Sequence, residues 1–209
     1  MAKKEAPLQQ LNDFLPPGTF DAVSHYLHFY KIHLTITRQR KTVLGDYRHR
    51  THINNHRISV NGNLNPFAFL ITLLHEIAHL LAFEQYGNKI AAHGKEWKTI
   101  YASLLKQFLE HKIFPADIEY ELMNSLKNPA ASSCAEDDLI RVLRNHDKNN
   151  NDYRLVEELP SAALFRLASG QIFEKGERLR KRFKCIEVST QRVYLFSPVY
   201  EVEVMSRES

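Results

Sequence analysis

His75, Glu76 and His79 stand in the order His-Glu-x-x-His. On a helix the two imidazoles fall one turn apart on one face. Each can then offer a nitrogen to a single zinc ion. Glu76, one residue on, is turned aside by about 100°. From there it can reach a water on the metal without ligating the metal. Zinc lowers the pKa of such a water, and a carboxylate so placed can take its proton. The chemistry suited to these three side chains is hydrolysis, with Glu76 as general base.

The surroundings of the motif decide how much weight it carries. Most chance occurrences would fall in loops or on solvated faces, whereas this one is set among Leu70, Ile71, Leu73, Leu74, Ile77, Leu80 and Leu81. Burying two imidazoles and a carboxylate together is costly without a compensating partner, and a metal ion is one. A catalytic zinc usually keeps three protein ligands and one open position. His93 is the foremost third candidate, because a Gly-containing turn after the motif can bring it back to the metal. Glu84 and Glu96 are its rivals. Glu84, five residues beyond His79, points about 140° away on a continuous helix.

These residues need a scaffold. Residues 8–30 read as helical, broken by Pro16-Pro17-Gly18. Ile32, Leu34 and Ile36 alternate with polar residues as in a half-buried strand. Val43 to Tyr47 and Arg57 to Val60 read as two more strands, joined by a His/Arg-rich stretch expected to be a solvated loop. From Pro66 to about Phe83 the pattern is helical and ends at Tyr86-Gly87-Asn88. A second long helix begins near His93, with Trp97, Ile100, Tyr101, Leu104, Leu105 and Phe108 as its apolar stripe. A third opens at Pro115. Ser133 and Glu136 have capping-box spacing ahead of a short helix carrying Leu139, Val142 and Leu143. Beyond that, short apolar runs separated by turn residues suggest a small antiparallel barrel or sheet. Asp147 to Glu158 mimics a calcium-loop spacing, but Asp152 stands where glycine is needed, so a polar linker is expected.

Composition narrows the class. The chain has 209 residues, enough for one good-sized domain with an appendage, and a net charge of +4. Two cysteines, Cys134 and Cys185, make neither a disulfide framework nor a four-cysteine zinc site. A reducing, cytoplasmic setting is expected, with no signal peptide. The apolar stretch Phe67 to Phe83 is interrupted by His75, Glu76 and His79, so it is expected to be a core helix and no membrane partner is expected.

Residues 18–127 resemble the SprT-like metallopeptidases, the family that includes Spartan. The resemblance rests on the strand Ile32 to Thr37, on Leu44-Gly45-Asp46-Tyr47, and on Ile58-Ser59-Val60 followed by Asn65-Pro66. It rests also on the His-Glu-x-x-His helix and on His93-Gly94-Lys95-Glu96-Trp97, which is similar to the family's third-ligand block. It implies an α+β, zincin-like domain over residues 8–128, with a motif helix and a small antiparallel sheet. It implies one catalytic zinc on His75, His79 and His93, Glu76 as base, and a protein or peptide substrate. A link to DNA is suggested too, since Spartan-type members degrade proteins crosslinked to DNA. Many members of that family carry a terminal zinc ribbon with paired cysteines; with Cys134 and Cys185 standing alone, none is expected in these residues. Residues 129–152 are expected to be a linker with a short helix, and 153–209 a small β-rich basic module.

In that module Lys175, Arg178, Arg180, Lys181, Arg182 and Lys184 are interleaved with apolar residues. They are candidates for contact with a phosphate backbone. The bland alternative is the solvated face of a hairpin, with Glu174 and Glu177 offsetting part of the charge. The competing functional class is a non-catalytic protein that contains zinc and binds nucleic acid.

Overall fold

A computed structural model describes residues 7–40, 42–126, 134, 136–147 and 153–205. The chain divides between His146 and Asp147 into two compact units.

The first unit opens with a 3-10 turn, Leu8–Phe14, and then helix α1, Phe20–Phe29. The break falls at the Pro-Pro-Gly step, where proline cannot continue the hydrogen-bond ladder and Gly18 takes a positive φ of 82°. Strands β1 (His33–Thr37), β2 (Gly45–Arg48) and β3 (Arg57–Asn61) follow. They form a sheet of order β1-β3-β2. β1 runs parallel to β3, and β2 antiparallel to it. The sheet is thus mixed rather than antiparallel. β3 brings the most deeply buried side chains, Ile58 and Val60, so it takes the centre although it comes last in sequence. β2 is left as an edge.

Helix α2, Pro66–Tyr86, packs on the sheet. Its start is well specified. Asn65 accepts from the Ala68 N–H at 2.9 Å, and Pro66 occupies a first-turn position where no donor is needed. Gly87 ends it. Phe69, Leu70, Ile71, Leu73, Leu74, Ile77 and Leu80 are all fully buried, on every side of the helix. By length and composition alone α2 is apolar enough to cross a bilayer, but 72% of the relevant window is buried within the unit. It is the core helix.

Helices α3 (Lys95–Glu110), α4 (Ala116–Ser125) and α5 (Asp137–Arg144) complete the unit. Pro115 caps α4 rather than opening it. α5 belongs to this core and not to a linker. Leu139 and Leu143 are buried in it, and the Leu143 carbonyl accepts from the Asn65 side chain at 2.9 Å. Its N-cap is Glu136, so the helix starts one turn later than a Ser133 cap would place it. Ser133 itself and residues 148–152 of the calcium-loop mimic lie outside the described residues.

Among the described residues, the second unit is all β apart from a short 3-10 turn. Strands β4 (Tyr153–Leu155), β5 (Leu164–Arg166), β6 (Ile172–Leu179), β7 (Arg182–Glu187), β8 (Val193–Phe196) and β9 (Glu201–Val204) form one sheet. Its order is β4-β9-β5-β6-β7-β8, with every pairing antiparallel. Val156, Phe165, Phe173, Cys185 and Val202 centre its small core.

Candidate metal centre

α2 carries His75 and His79 on one face, as i,i+4 spacing requires. His93 arrives from the tight turn between α2 and α3, where the Gly94 N–H donates to the Ala91 carbonyl at 3.0 Å. A Cβ on Gly94 would press on the Ala91 carbonyl and methyl at 3.2 and 3.3 Å. The Nε2 atoms of His79 and His93 each lie 3.3 Å from Nε2 of His75. One ligand atom from each residue falls within 4.8 Å of the others.

That spacing is a test of fit. At the usual zinc–imidazole bond of about 2.0–2.1 Å, the edge of a tetrahedron is about 3.3–3.4 Å. Three lone pairs this close cannot all be satisfied by hydrogen bonds between themselves. Burial and the neighbouring histidines push His75 down to about 3, and burial with His93 pushes His79 down to about 4. Burial and Lys98 lower His93 as well. All three imidazoles are therefore held neutral, the form in which they bind metal. The buried Nδ1 of His75 has no hydrogen-bond partner among the described residues.

Trp97, fully buried on α3, floors the cluster. Its ring centroid lies 4.7, 5.1 and 4.7 Å from those of His75, His79 and His93. Tyr101, one turn on, stacks against Trp97 at 5.1 Å. The apolar periodicity of α3 marks both as core residues. Their second task, backing three imidazoles, follows only from the approach of α3 to α2.

Glu76 is 5% exposed. Burial, reinforced by Asp46 and opposed by Arg40, pushes its carboxyl up to about 8. The cause is the close approach of β2. A Cβ on Gly45 would sit 2.5 Å from Oε1 of Glu76 and 2.8 Å from Cγ2 of Thr72. Only a glycine backbone lets the strand lie so near the carboxyl group. Arg40 spans the sheet, donating to Asn61 Oδ1 at 2.8 Å and to Ser59 Oγ at 2.9 Å.

The rival ligands are placed elsewhere. Glu84 accepts from His56 and Arg50, each at 3.2 Å. Glu96 lies exposed in the first turn of α3. Neither joins the three-nitrogen group. His56, expected in a solvated loop, is instead 3% exposed.

The basic cluster of the second unit does not act as one surface. Arg178, Arg180, Lys181 and Arg182 are exposed around the β6–β7 turn, and Lys184 is half-buried. Lys175 is 5% exposed, correcting its expected place on the solvated face. It follows Phe173 by two residues on β6 and so shares its inward face. Its ammonium donates to the carbonyls of Glu157 and Leu159 and lies over the Phe183 ring.

The SprT-like family model matches residues 7–119, more than half of the chain. This chain belongs to the SprT-like family. The match takes in β1 to β3, α2, the His93 turn and α3. Curated relatives align over a shorter stretch. Protein SprT of Pseudomonas entomophila (strain L48) is 55% identical over 29 residues, 14% of this chain and 18% of that protein. Protein SprT of Pseudomonas putida (strain W619) is 52% identical over the same length and shares. The chain thus matches under a fifth of these relatives' length. No solved structure matches.

Proposed function

We propose that this SprT-like protein is a zinc-dependent peptidase with a zincin-like core. Its ligands are His75, His79 and His93, and Glu76 is its general base. The observation that carries the reading is the convergence of three neutral imidazoles, with Nε2 of His79 and of His93 each at tetrahedral-edge distance from Nε2 of His75, next in sequence to a buried carboxyl group. Zinc held there would supply Lewis acidity and acidify a water.

The remaining work belongs to the chain. Glu76 takes the proton at its carboxylate, and burial, which raises its pKa above the ordinary carboxylate value in the metal-free chain, strengthens it as a base. Trp97 and the core of α2 keep bulk water from the back of the imidazoles. β2, paired only with β3 among the described residues, offers an edge to an extended peptide, a mode that reads main chain more than side chain. Unfolded or strand-like segments are the substrates this arrangement suits.

Glu76→Gln tests the reading. It should retain stoichiometric zinc, measured by mass spectrometry of the metal, and lose cleavage of an unfolded protein substrate. Full activity in that variant removes the mechanism. A non-catalytic zinc protein would show no cleavage in the wild type either.

DNA is the further partner we propose, through the exposed Arg178, Arg180, Lys181 and Arg182 around one hairpin turn. Salt-dependent DNA binding by the full chain, weakened when Arg180 and Arg182 become Gln, checks it. The two cysteines, both buried free thiols, fit a reducing, cytoplasmic setting.

A further inference from the structure

Tyr47 sits on β2 with its ring parallel to the His79 imidazole, 4° between planes and 6.4 Å between centroids. The other contacts of the tyrosine explain why it stays there. Its hydroxyl donates to Nδ1 of His56 at 2.9 Å. The Arg50 backbone N–H donates to the same nitrogen at 3.3 Å. Two donors on one nitrogen require it to be bare, so the His56 proton sits on Nε2. That nitrogen faces Oε1 of Glu84 at 3.2 Å, and the Arg50 guanidinium holds the same oxygen at 3.2 Å. The ring of Phe83 meets His56 edge-on at 6.0 Å. Both nitrogens of a buried histidine are thereby satisfied, and its tautomer is settled from two sides.

The path closes on itself. It leaves α2 at Glu84, passes through His56 at the entry to β3 and Tyr47 on β2, and returns to α2 at His79. A ligand imidazole must keep one nitrogen aimed at its metal, and surrounding groups normally supply that restraint. We propose that Tyr47 is a positioning residue for the metal centre, holding the His79 ring in its ligating orientation because His56 and Glu84 hold Tyr47. This rests on the metal-site reading above.

The test uses full-length protein with Tyr47→Leu and Tyr47→Phe. Zinc affinity is read by competition with a chromophoric chelator, ligand geometry by the visible spectrum of the cobalt-substituted protein, and folding by circular dichroism of the metal-free form. Tyr47→Leu removes the ring and should weaken zinc about tenfold or more, with a changed cobalt spectrum. Tyr47→Phe keeps the ring but frees it from His56. It should alter the cobalt spectrum in the same sense with a smaller loss of affinity. Should Tyr47→Leu fail to fold, the Phe variant decides. A wild type that takes up no metal overturns the metal-site reading. A wild type that binds, with wild-type affinity and spectrum in the folded variants, overturns the positioning role and leaves the metal site standing.

Discussion

The core of the β unit and the candidate metal centre bury ionisable groups in opposite ways. In the β unit, Lys175 donates to two carbonyls, and Glu187 accepts from Thr190 and Gln171, bonds that hold its carboxyl below the usual range. Each is buried and each is satisfied. At the candidate metal centre, the nitrogens of His75, His79 and His93 converge with their pKa values lowered, and the Glu76 carboxyl is raised by burial and by a like charge. A buried polar group with its partners present is a structural device. A cluster of nitrogens too close together to satisfy one another is suited to a bound cation.

That contrast can be broken by experiment. The largest effect should come from Glu76→Gln, with turnover lower by about 10²–10⁴-fold and zinc content unchanged. A comparable loss from Lys175→Met would mean that burial of charge does not separate the units by role. Gly45→Ala should come next. Its Cβ would meet the Glu76 carboxyl at 2.5 Å, so the carboxyl group must shift. Turnover should fall roughly tenfold or more, for a stability cost of about 1–3 kcal/mol, with zinc affinity near wild type. Peptidase kinetics beside chelator competition would show the split.

The metal-free protein gives a sharper handle through pH. A carboxyl raised to about 8 binds its proton more tightly folded than unfolded. It therefore subtracts stability as pH rises from about 4.5, where the unfolded chain ionises, to about 8. Glu76→Gln should match the wild type at the acid end of that window and exceed it by a few kcal/mol, on the order of 1.4 per pH unit, toward pH 8. Urea denaturation of both proteins with the metal stripped would follow it. The histidines act in the other direction, since their lowered folded values cost stability as pH falls below about 6.5. The smallest effect should be Lys175→Ala, which leaves two carbonyls without their donor. Destabilisation of about 1–3 kcal/mol, seen by thermal unfolding, with unaltered zinc binding, is expected.

Much of the site was legible from residue order alone. The i,i+4 histidines need only a helix, and the apolar run from Leu70 to Leu81 specifies one. His93 is announced by a glycine turn between two periodic segments. What could not be read was set by the approach of β2 to α2. The need for glycine at 45, the stacking of Tyr47 and the burial of His56 arise between elements distant in sequence, and no periodicity encodes them. The mixed sheet escaped for the same reason, since strand order depends on which strand buries most. Lys175 was different. Its two-residue spacing from Phe173 already placed it inward, and the density of neighbouring charges obscured that.

One rod, α2, is both the nucleus of the hydrophobic interior and the bearer of the reactive motif. Ordering the interior and assembling the reaction centre are then one cooperative event. On the proposed reading, no loosened intermediate would retain cleavage, and a half-melted copy would be inert rather than an indiscriminate protease.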